Sequence, residues 1–349
     1  MKVRQLWFTQ PYQIDLREQP LAELEATQIR VKTVCSAISA GTEMLVYRGQ
    51  LPTDISLDAT LASLQQDQKD QVYPLQYGYA CVGHVEQVGA TVDSSWLGKR
   101  VFSFQPHASH FISSPEQVIV LPEDIESEAA VFLPNMETAV NLVLDGSPAL
   151  GERVLVLGQG IVGLLVSSVL AQFPLAQLVA LESLPLRKAQ ALKVGVQQVY
   201  DPQSKEELAH LEHFLRLPVQ LTDTAQAGAD LIYEVSGAPS ALNLAINLSS
   251  YTGRIVIGSW YGNKASPLQL GGVAHRNRLK FISSQVSTIA PELTGRWDKA
   301  RRFEIAWEMI RRTQPQQMIT HRVPLEQASA LYALLDQAPE TILQAVLTY

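Results

Sequence analysis

One stretch decides the fold of this chain: Val154-Leu155-Val156-Leu157-Gly158-Gln159-Gly160-Ile161-Val162-Gly163. It begins with four apolar residues that predict a buried strand, and its glycines have the spacing G-x-G-x-x-G. The apolar pattern of 164–173 predicts a helix after this turn, and 178–181 predicts a second strand that ends at Glu182, 19 residues after Gly163. Strand, glycine turn, helix, strand and acid in this order are typical of a dinucleotide-binding βαβ unit.

Each glycine of the turn has a physical reason. Gly158 permits a sharp turn, Gly160 lets backbone amides approach a pyrophosphate, and Gly163 lets the helix pack closely on the strand. The helix N-terminus then presents free N–H groups and a partial positive charge to the phosphates. The window 154–171 is also apolar enough to resemble a membrane span, but its polar residues and the strand that follows argue against that interpretation. We therefore predict that the residues of the turn bind the cofactor: Gly158, Gln159, Gly160, Ile161, Val162 and Gly163.

Glu182 predicts which dinucleotide is bound. Its carboxylate is placed to accept hydrogen bonds from the adenosine ribose, and its charge repels the 2′-phosphate of NADP(H). Ser183 and Arg187 follow closely and could soften this preference. We expect all three residues to belong to the cofactor site, with NAD(H) preferred to NADP(H).

Length and composition favour a two-domain protein of the cytoplasm. A chain of 349 residues exceeds the size at which a single core stops growing. The net charge of −7 argues against a nucleic-acid partner, because no basic stripe is present to neutralise phosphates. The N-terminus lacks the apolar core of a signal peptide, so no membrane partner is expected. Cys35 and Cys81 are the only cysteines, which excludes a disulfide framework and a four-cysteine zinc lobe.

The pattern of the chain changes near residue 138. Before it, short alternating stretches bounded by glycine and proline predict a mostly-β unit, and a last strand at 344–347 could rejoin that unit. After it, alternating strands and helices predict a parallel sheet with crossovers. Two of these strands end in Gly237 and Gly258, which we expect to face the nicotinamide half of the cofactor because parallel sheets bind ligands at strand C-termini. The polar segment 53–73 is interpreted as a solvated insertion, with a substrate lid as the alternative.

This order of parts resembles the medium-chain dehydrogenase/reductase superfamily. The motifs that carry the resemblance are Ala40-Gly41-Thr42-Glu43, Gly78-Tyr79-Ala80-Cys81-Val82-Gly83, Leu97-Gly98-Lys99-Arg100-Val101 and the glycine turn. Within it, 38–43 and the Gly78-Tyr79 pair are similar to the zinc-free branch that includes the bacteriochlorophyllide a dehydrogenases. The resemblance implies an α/β fold: a doubly wound Rossmann domain at 138–283, and a mostly-β GroES-like catalytic domain formed by 1–137 and 284–349. It also implies a homodimer.

The zinc-dependent members of this superfamily carry a cysteine, a histidine and a second cysteine or acid as metal ligands. The matching positions here are Ala40, Tyr79 and Pro134. Alanine and proline side chains cannot coordinate Zn²⁺, and a neutral tyrosine is a poor ligand. We therefore predict that no metal is bound.

Four other residues are candidates to replace the missing metal chemistry. His107 and His110 have the spacing H-x-x-H, but two imidazoles without a third ligand hold a metal weakly, so we favour a polar histidine pair in a loop. Glu43 and Glu137 are the nearest carboxylates in the matched loops, and we expect them to orient arginine or backbone groups.

Without a metal, another group must protonate the substrate oxygen. Thr42 matches the hydroxyl residue that relays the proton in the zinc enzymes, and Tyr79 brings a phenol able to donate to a carbonyl oxygen. The alternative is that Tyr79 only fills the space left by zinc. By the same resemblance, the backbone at Ser284 and Gln285 holds the nicotinamide carboxamide, and Thr138 belongs to the cofactor site.

The leading functional hypothesis is a zinc-independent, NAD(H)-dependent oxidoreductase that interconverts a secondary alcohol and a ketone, bulky ones included. One alternative is an NAD(P)H-dependent reductase of quinones or enones. The other is a redox sensor that binds dinucleotide without turnover. All three imply a small-molecule ligand.

Overall fold

The computed structural model describes residues 1–51, 73–215 and 227–349. Positions 53–72 of the predicted insertion therefore lie outside the described residues. Contacts within the chain define two compact units, one formed by Met1–Pro134 with Gln314–Tyr349 and the other by Asn135–Thr313.

The strands, in chain order, are β1 (Lys2–Gln10), β2 (Gln13–Pro20), β3 (Ile29–Ala37), β4 (Cys81–Val88), β5 (Arg100–Ser103), β6 (His110–Ser113), β7 (Ile119–Val120), β8 (Arg153–Leu157), β9 (Gln177–Leu181), β10 (Gln198–Tyr200), β11 (Ala229–Glu234), β12 (Ser249–Ile257), β13 (Lys280–Ser283), β14 (Ile319–Pro324) and β15 (Gln344–Thr348). The α-helices are α1 (Ala40–Arg48), α2 (Ser127–Ala130), α3 (Leu133–Gly146), α4 (Ile161–Leu170), α5 (Pro185–Lys193), α6 (Lys205–Phe214), α7 (Ala241–Leu248), α8 (Lys299–Thr313) and α9 (Ala328–Gln337). None of the helices in the described ranges combines the length and the apolarity needed to cross a membrane.

The first unit is mostly β, as predicted. Its larger sheet has the order β14-β15-β3-β4-β5-β7, with β6 paired to β3, and β1 and β2 form a separate antiparallel ribbon. The closing strand β15 pairs antiparallel with β3, which confirms that the C-terminal segment rejoins the N-terminal unit. An apolar core lies beside α1 and α9, where Phe8 and Tyr332 pack edge to face with ring centroids 5.4 Å apart.

The second unit is a parallel sheet with the order β10-β9-β8-β11-β12-β13. Four residues of β8, Val154 to Leu157, are at most 2% exposed. All four are apolar, as a strand buried on both faces requires. Chain order reverses between β8 and β11, which is the topological switch point where such sheets bind ligands. The predicted α/β fold with a Rossmann sheet and a mostly-β domain is confirmed.

The boundary between the units differs from the prediction on one side. The first division, after Pro134, is close to the predicted 137/138 boundary, whereas the second falls after Thr313 instead of 283. The segment 284–313 stays with the Rossmann unit because α8 is tied to α3 by a buried ion pair, in which Arg302 Nη2 lies 2.7 Å from Glu137 Oε1.

Candidate functional site

The glycine turn connects β8 to α4 in the geometry that a phosphate-binding loop needs. Gly158 has φ +91°, and a Cβ atom there would lie 2.6 Å from Cα of Ser236. A Cβ on Gly163 would lie 2.0 Å from the carbonyl oxygen of Gly158, so only glycine permits this packing of helix on turn. At Gly160, by contrast, a Cβ atom would have no described atom within 4 Å apart from those of its immediate chain neighbours.

Gly160 is the N-cap of α4, and no side chain caps this helix end. The amides of Ile161 and Val162 lie in the first helical turn, where no intrahelical acceptor exists. Open space at Gly160 beside these amides fits a pyrophosphate, which would accept their hydrogen bonds and gain from the helix dipole. The residues of the turn therefore fit the dinucleotide that the sequence predicts.

The side chain of Gln159 differs in role from its neighbours. It is fully buried, and its carbonyl oxygen accepts a hydrogen bond from Ser167 Oγ on α4 at 3.1 Å. Its backbone amide donates to Glu182 Oε2 at 2.9 Å. Gln159 therefore braces the turn, which the sequence pattern alone did not indicate.

Glu182 follows β9 and is only 7% exposed. Besides the amide of Gln159, its carboxylate accepts hydrogen bonds from the backbone N–H groups of Ser183 at 2.8 Å and Leu184 at 3.0 Å. The guanidinium of Arg187 lies 4.0 Å away. A carboxylate has about four lone-pair sites, so three backbone donors leave room for a ribose hydroxyl.

Gly237 and Gly258 follow the C-terminal ends of β11 and β12, at the same sheet edge as the glycine turn. Gly237 has φ +71°, and its N–H donates to Ser259 Oγ at 2.8 Å. A Cβ on Gly258 would lie 2.6 Å from Leu142 Cδ2 on α3. The structure thus brings the predicted glycines of three adjacent strands to one edge.

Ser284 and Gln285 follow β13 at this same edge. The backbone N–H of Ser284 donates to the carbonyl of Ile257 at 3.0 Å, and its hydroxyl donates to Asp145 Oδ2 at 2.6 Å. Gln285 is exposed, and its side chain accepts from the N–H of Ser287 at 2.5 Å. Thr138 lies on α3 and is half-buried.

In the first unit, Ser39 joins the two predicted catalytic residues. The hydroxyl of Tyr79 donates to Ser39 Oγ, and the backbone N–H of Thr42 in the first turn of α1 donates to the carbonyl of Ser39 at 3.1 Å. Sequence analysis missed Ser39, although its place directly before a helix is where N-cap residues stand. Tyr79 is half-buried, with its ring edge to face with Tyr77 at 6.2 Å.

The predicted positions of the zinc ligands do not suit zinc. Ala40, the first residue of α1, and Pro134 offer no side-chain donor, and the Tyr79 hydroxyl donates to Ser39. Across residues 1–51, 73–215 and 227–349, no group of three or more His, Cys, Asp or Glu side chains is arranged to hold a metal ion. The donor chemistry present does not match the group that the zinc-dependent relatives use.

A buried polar network surrounds Glu43, in the first turn of α1. Glu43 Oε1 accepts from the N–H of Ser39 at 2.7 Å, while Oε2 contacts His107 Nε2 at 3.0 Å and accepts from the hydroxyl of Tyr332. The other imidazole nitrogen, Nδ1, lies 2.6 Å from Ser36 Oγ. Burial, with the nearby Glu43 charge, raises the pKa of Tyr332 well above its usual value, so this phenol stays protonated as a donor.

The H-x-x-H pair does not converge on one point. Both nitrogens of His107 are engaged in the buried network, whereas His110 contacts Ser109 Oγ at 3.1 Å and lies 3.8 Å from Glu86. Glu43 orients a backbone amide, as expected for this residue. Glu137 orients an arginine, Arg302, which is the other expected arrangement.

The comparisons with known proteins agree with this architecture. The family described as zinc-binding dehydrogenase matches residues 162–303. The uncharacterized zinc-type alcohol dehydrogenase-like protein YphC of Escherichia coli K12 is 25% identical over 71% of this chain, which spans only 65% of that protein. D-guloside 3-dehydrogenase of the same strain is 22% identical, with 82% of this chain and 81% of that protein covered.

Solved structures of dehydrogenases share the whole fold. The 2R,3R-butanediol dehydrogenase of Bacillus subtilis aligns with a TM-score of 0.78 at 16% identity, covering 99% of each chain. A protein described as a short chain alcohol dehydrogenase from E. coli CFT073, complexed with NADH, aligns with a TM-score of 0.77 at 18% identity, covering 100% of this chain and 99% of that one.

Proposed function

We propose that the chain is a member of the zinc-type alcohol dehydrogenase-like family of medium-chain dehydrogenases and reductases, to which it is similar, and that it is an NAD(H)-dependent oxidoreductase that interconverts a secondary alcohol and a ketone without zinc. The observation that carries the proposal is the glycine turn at the switch point, with the Glu182 carboxylate bonded to its Gln159 amide. That arrangement supports a dinucleotide whose 2′-hydroxyl is free.

The second unit would hold the cofactor in three places. The amides at the start of α4 would receive the pyrophosphate, Glu182 the adenosine ribose, and the backbone following β12 and β13 the nicotinamide. When bound, the nicotinamide accepts or donates the hydride. The protein itself binds and orients the cofactor and the substrate, and it transfers one proton to or from the substrate oxygen.

The proton would move through hydroxyl groups of the first unit. Tyr79 is the proposed acid towards the substrate carbonyl oxygen in reduction. Its one O–H, which points to Ser39 Oγ in the structure, would turn to the substrate oxygen, and the Ser39 hydroxyl would then donate to the phenolic oxygen and orient it. Thr42, whose backbone N–H donates to the carbonyl oxygen of Ser39, is the alternative donor through its hydroxyl. In this proposal a hydroxyl group gives the substrate oxygen its proton. In the zinc-dependent enzymes, a Lewis acid polarises that oxygen instead.

The relatives suggest the substrate class. Proteins named D-guloside 3-dehydrogenase, (R,R)-butanediol dehydrogenase and sorbitol dehydrogenase are similar to this chain at 20–23% identity. Their names share a secondary alcohol within a polyol or sugar. We therefore include such alcohols, and the corresponding ketones, among the first substrates to test.

The experiment is a screen of NADH and NADPH oxidation with ketone, quinone and enone panels, and of the reverse reaction with secondary alcohols and polyols. Turnover of a ketone with NADH supports the proposal. Turnover confined to quinones or enones would replace it with the double-bond reductase, and tight NADH binding without turnover would replace it with a sensor.

Three variants then assign the proton. Tyr79→Phe keeps the ring and should slow the chemical step by about 10²–10⁴-fold while NADH affinity stays constant. Ser39→Ala should have a smaller effect, and Thr42→Val tests the alternative donor. Tyr12→Phe, which changes a 54% exposed tyrosine of the same unit, is the matched control and should be silent. If Tyr79→Phe transfers hydride in a single turnover at the wild-type rate, Tyr79 only fills space and is not the proton donor.

A further inference from the structure

Arg302 on α8 is fully buried, yet it is positively charged. Its five N–H groups make five hydrogen bonds. The Nε and Nη2 atoms each donate to Glu137 Oε1, at 3.1 and 2.7 Å, and Nη1 donates to Asn141 Oδ1 at 2.6 Å. The remaining two bonds go to backbone carbonyls, from Nη1 to Thr288 at 3.0 Å and from Nη2 to Val286. A guanidinium has five donors, so none is left over.

The partners on α3 form a stripe on one face of the helix. Glu137, Asn141 and Asp145 are spaced four residues apart, which places them on the same side of successive turns. Asn141 Nδ2 donates both to Asp145 Oδ2 and to Ser284 Oγ at 3.0 Å. Burial acts to raise the pKa of Glu137, and the charge of Arg302 opposes that shift. The stripe is therefore one connected network from the ion pair to the hydroxyl of Ser284.

This network fixes the segment 284–288 at several points along its length. The Ser284 hydroxyl is held by Asn141 and Asp145, and the carbonyls of Val286 and Thr288 are held by Arg302. The Ser284 backbone N–H is bonded to β12 as well. Because a buried ion pair is costly to desolvate, it contributes little net stability that apolar residues could not supply. Its particular value here is the placement of two backbone carbonyls.

The position of the segment relates it to one end of the cofactor. Glu182, the residue proposed for the adenosine ribose, follows β9, which lies on one side of β8. The segment 284–288 follows β13, three strands away from β8 on the other side. Neighbouring strands are about 4.8 Å apart, so the two places are separated by roughly 19 Å along one edge. A dinucleotide laid across the switch point with its adenosine at Glu182 extends its nicotinamide towards the segment.

We propose that Arg302 is a positioning residue that, with Glu137 and Asn141, sets the backbone of 284–288 for the nicotinamide end of the cofactor and leaves the adenosine end unaffected. This inference rests on the proposed function, because it takes NAD(H) as the ligand.

The test compares NADH with ADP-ribose, which has the adenosine and pyrophosphate but lacks the nicotinamide. Both dissociation constants are measured by calorimetry for the wild type, Arg302→Met and Arg302→Lys. In both variants we expect ADP-ribose affinity to stay within about twofold and NADH affinity to fall by about tenfold. Lysine has only three donors on one atom and cannot hold two helical partners and two carbonyls together.

Arg312→Met on the same helix is the matched control. The Arg312 side chain is 57% exposed and paired with Glu308 on the surface, so its loss should alter neither affinity. Hydrogen exchange of the amides at 285–288 provides a readout without ligand. It should accelerate in Arg302→Lys and stay unchanged in Arg312→Met. Should Arg302→Met fail to fold, the lysine variant carries both measurements.

Equal losses of NADH and ADP-ribose affinity would overturn the inference in favour of a general structural role, and so would unchanged affinity for both. If the wild type binds neither ligand, the proposed function fails. If the wild type binds both and the NADH to ADP-ribose ratio survives in Arg302→Lys, only the positioning inference fails.

Discussion

Replacing Glu182 by glutamine alters one oxygen of a carboxylate that joins the glycine turn to the segment after β9. In the wild type, Oε2 accepts from the amide of Gln159, and Oε1 accepts from the amides of Ser183 and Leu184. A glutamine side chain keeps one acceptor oxygen and turns the other position into an N–H donor. If the glutamine oxygen keeps accepting from the amides of Ser183 and Leu184, the glutamine NH2 group faces the backbone N–H of Gln159. That N–H then has no acceptor.

The size of the effect follows from that mismatch. A buried N–H without an acceptor costs about 1–3 kcal/mol, and in a unit of this size each kcal/mol lowers the melting temperature by about 2–4 °C. We expect Glu182→Gln to melt roughly 2–12 °C below the wild type. The charge that repels a 2′-phosphate is also lost. The wild-type preference for NADH, on the order of tenfold to a thousandfold or ~1.4–4 kcal/mol, should narrow.

The assay measures NADH and NADPH affinity by calorimetry beside thermal melts. Glu207→Gln is the control, because Glu207 also accepts a backbone hydrogen bond in the same unit, from the amide of Asp201 at 2.6 Å, but lies away from the turn. The control should lower stability and leave the ratio of the two affinities unchanged. Wild-type protein that binds NADPH as tightly as NADH would refute the reasoning, and so would an unchanged ratio in Glu182→Gln.

Other parts of the molecule yield three further predictions. Purified protein should contain no stoichiometric zinc, and a chelator should leave activity and melting temperature unchanged; one zinc per chain by elemental analysis would contradict this. Gly160→Ala should keep stability but weaken NADH binding by tenfold or more, whereas Gly163→Ala should destabilise the unit by about 1–3 kcal/mol, since its Cβ would meet backbone. Burial opposes ionisation of Asp230, but hydrogen bonds from Arg153 outweigh it and lower the Asp230 pKa. The charge-dependent part of the stability lost in Asp230→Asn should therefore be present above about pH 4, the ordinary pKa of an aspartate in an unfolded chain, and disappear as the pH falls through the lower pKa of the folded state; urea titrations at several pH values would test this.

The Rossmann sheet was predictable because its evidence is local. The strand of 154–157, the glycine spacing and the acid after β9 all lie within 30 residues, and each reflects a steric or electrostatic need of that short segment. The first unit was predictable only as mostly β. Its sheet joins β15 to β3 across some 310 positions, and an alternating pattern does not name the strand's partner.

The buried side of the first unit was beyond sequence reasoning for a similar reason. Glu43 was expected to orient arginine or backbone groups, and it accepts from the backbone amide of Ser39, but its other partners are His107 and Tyr332. A histidine in an H-x-x-H spacing carries no sign that its nearest acid lies on α1. The role of Ser39 likewise depends on the tertiary structure, because only the folded unit brings the Tyr79 hydroxyl to Ser39 Oγ.

Arg302 shows how far a sequence pattern can go before tertiary packing must decide. A polar stripe at 137, 141 and 145 on a helix that is mostly apolar already demands a buried partner, because unpaired polar groups inside a protein are costly. The demand does not select the partner. Arg301 and Arg302 are neighbours in sequence and lie about 100° apart around α8, so one faces the network and the other cannot. Arg301 stacks on Trp297 at 4.4 Å near the surface. The choice between them is a matter of helix rotation, which depends on the apolar face of α8 and therefore on the assembled unit.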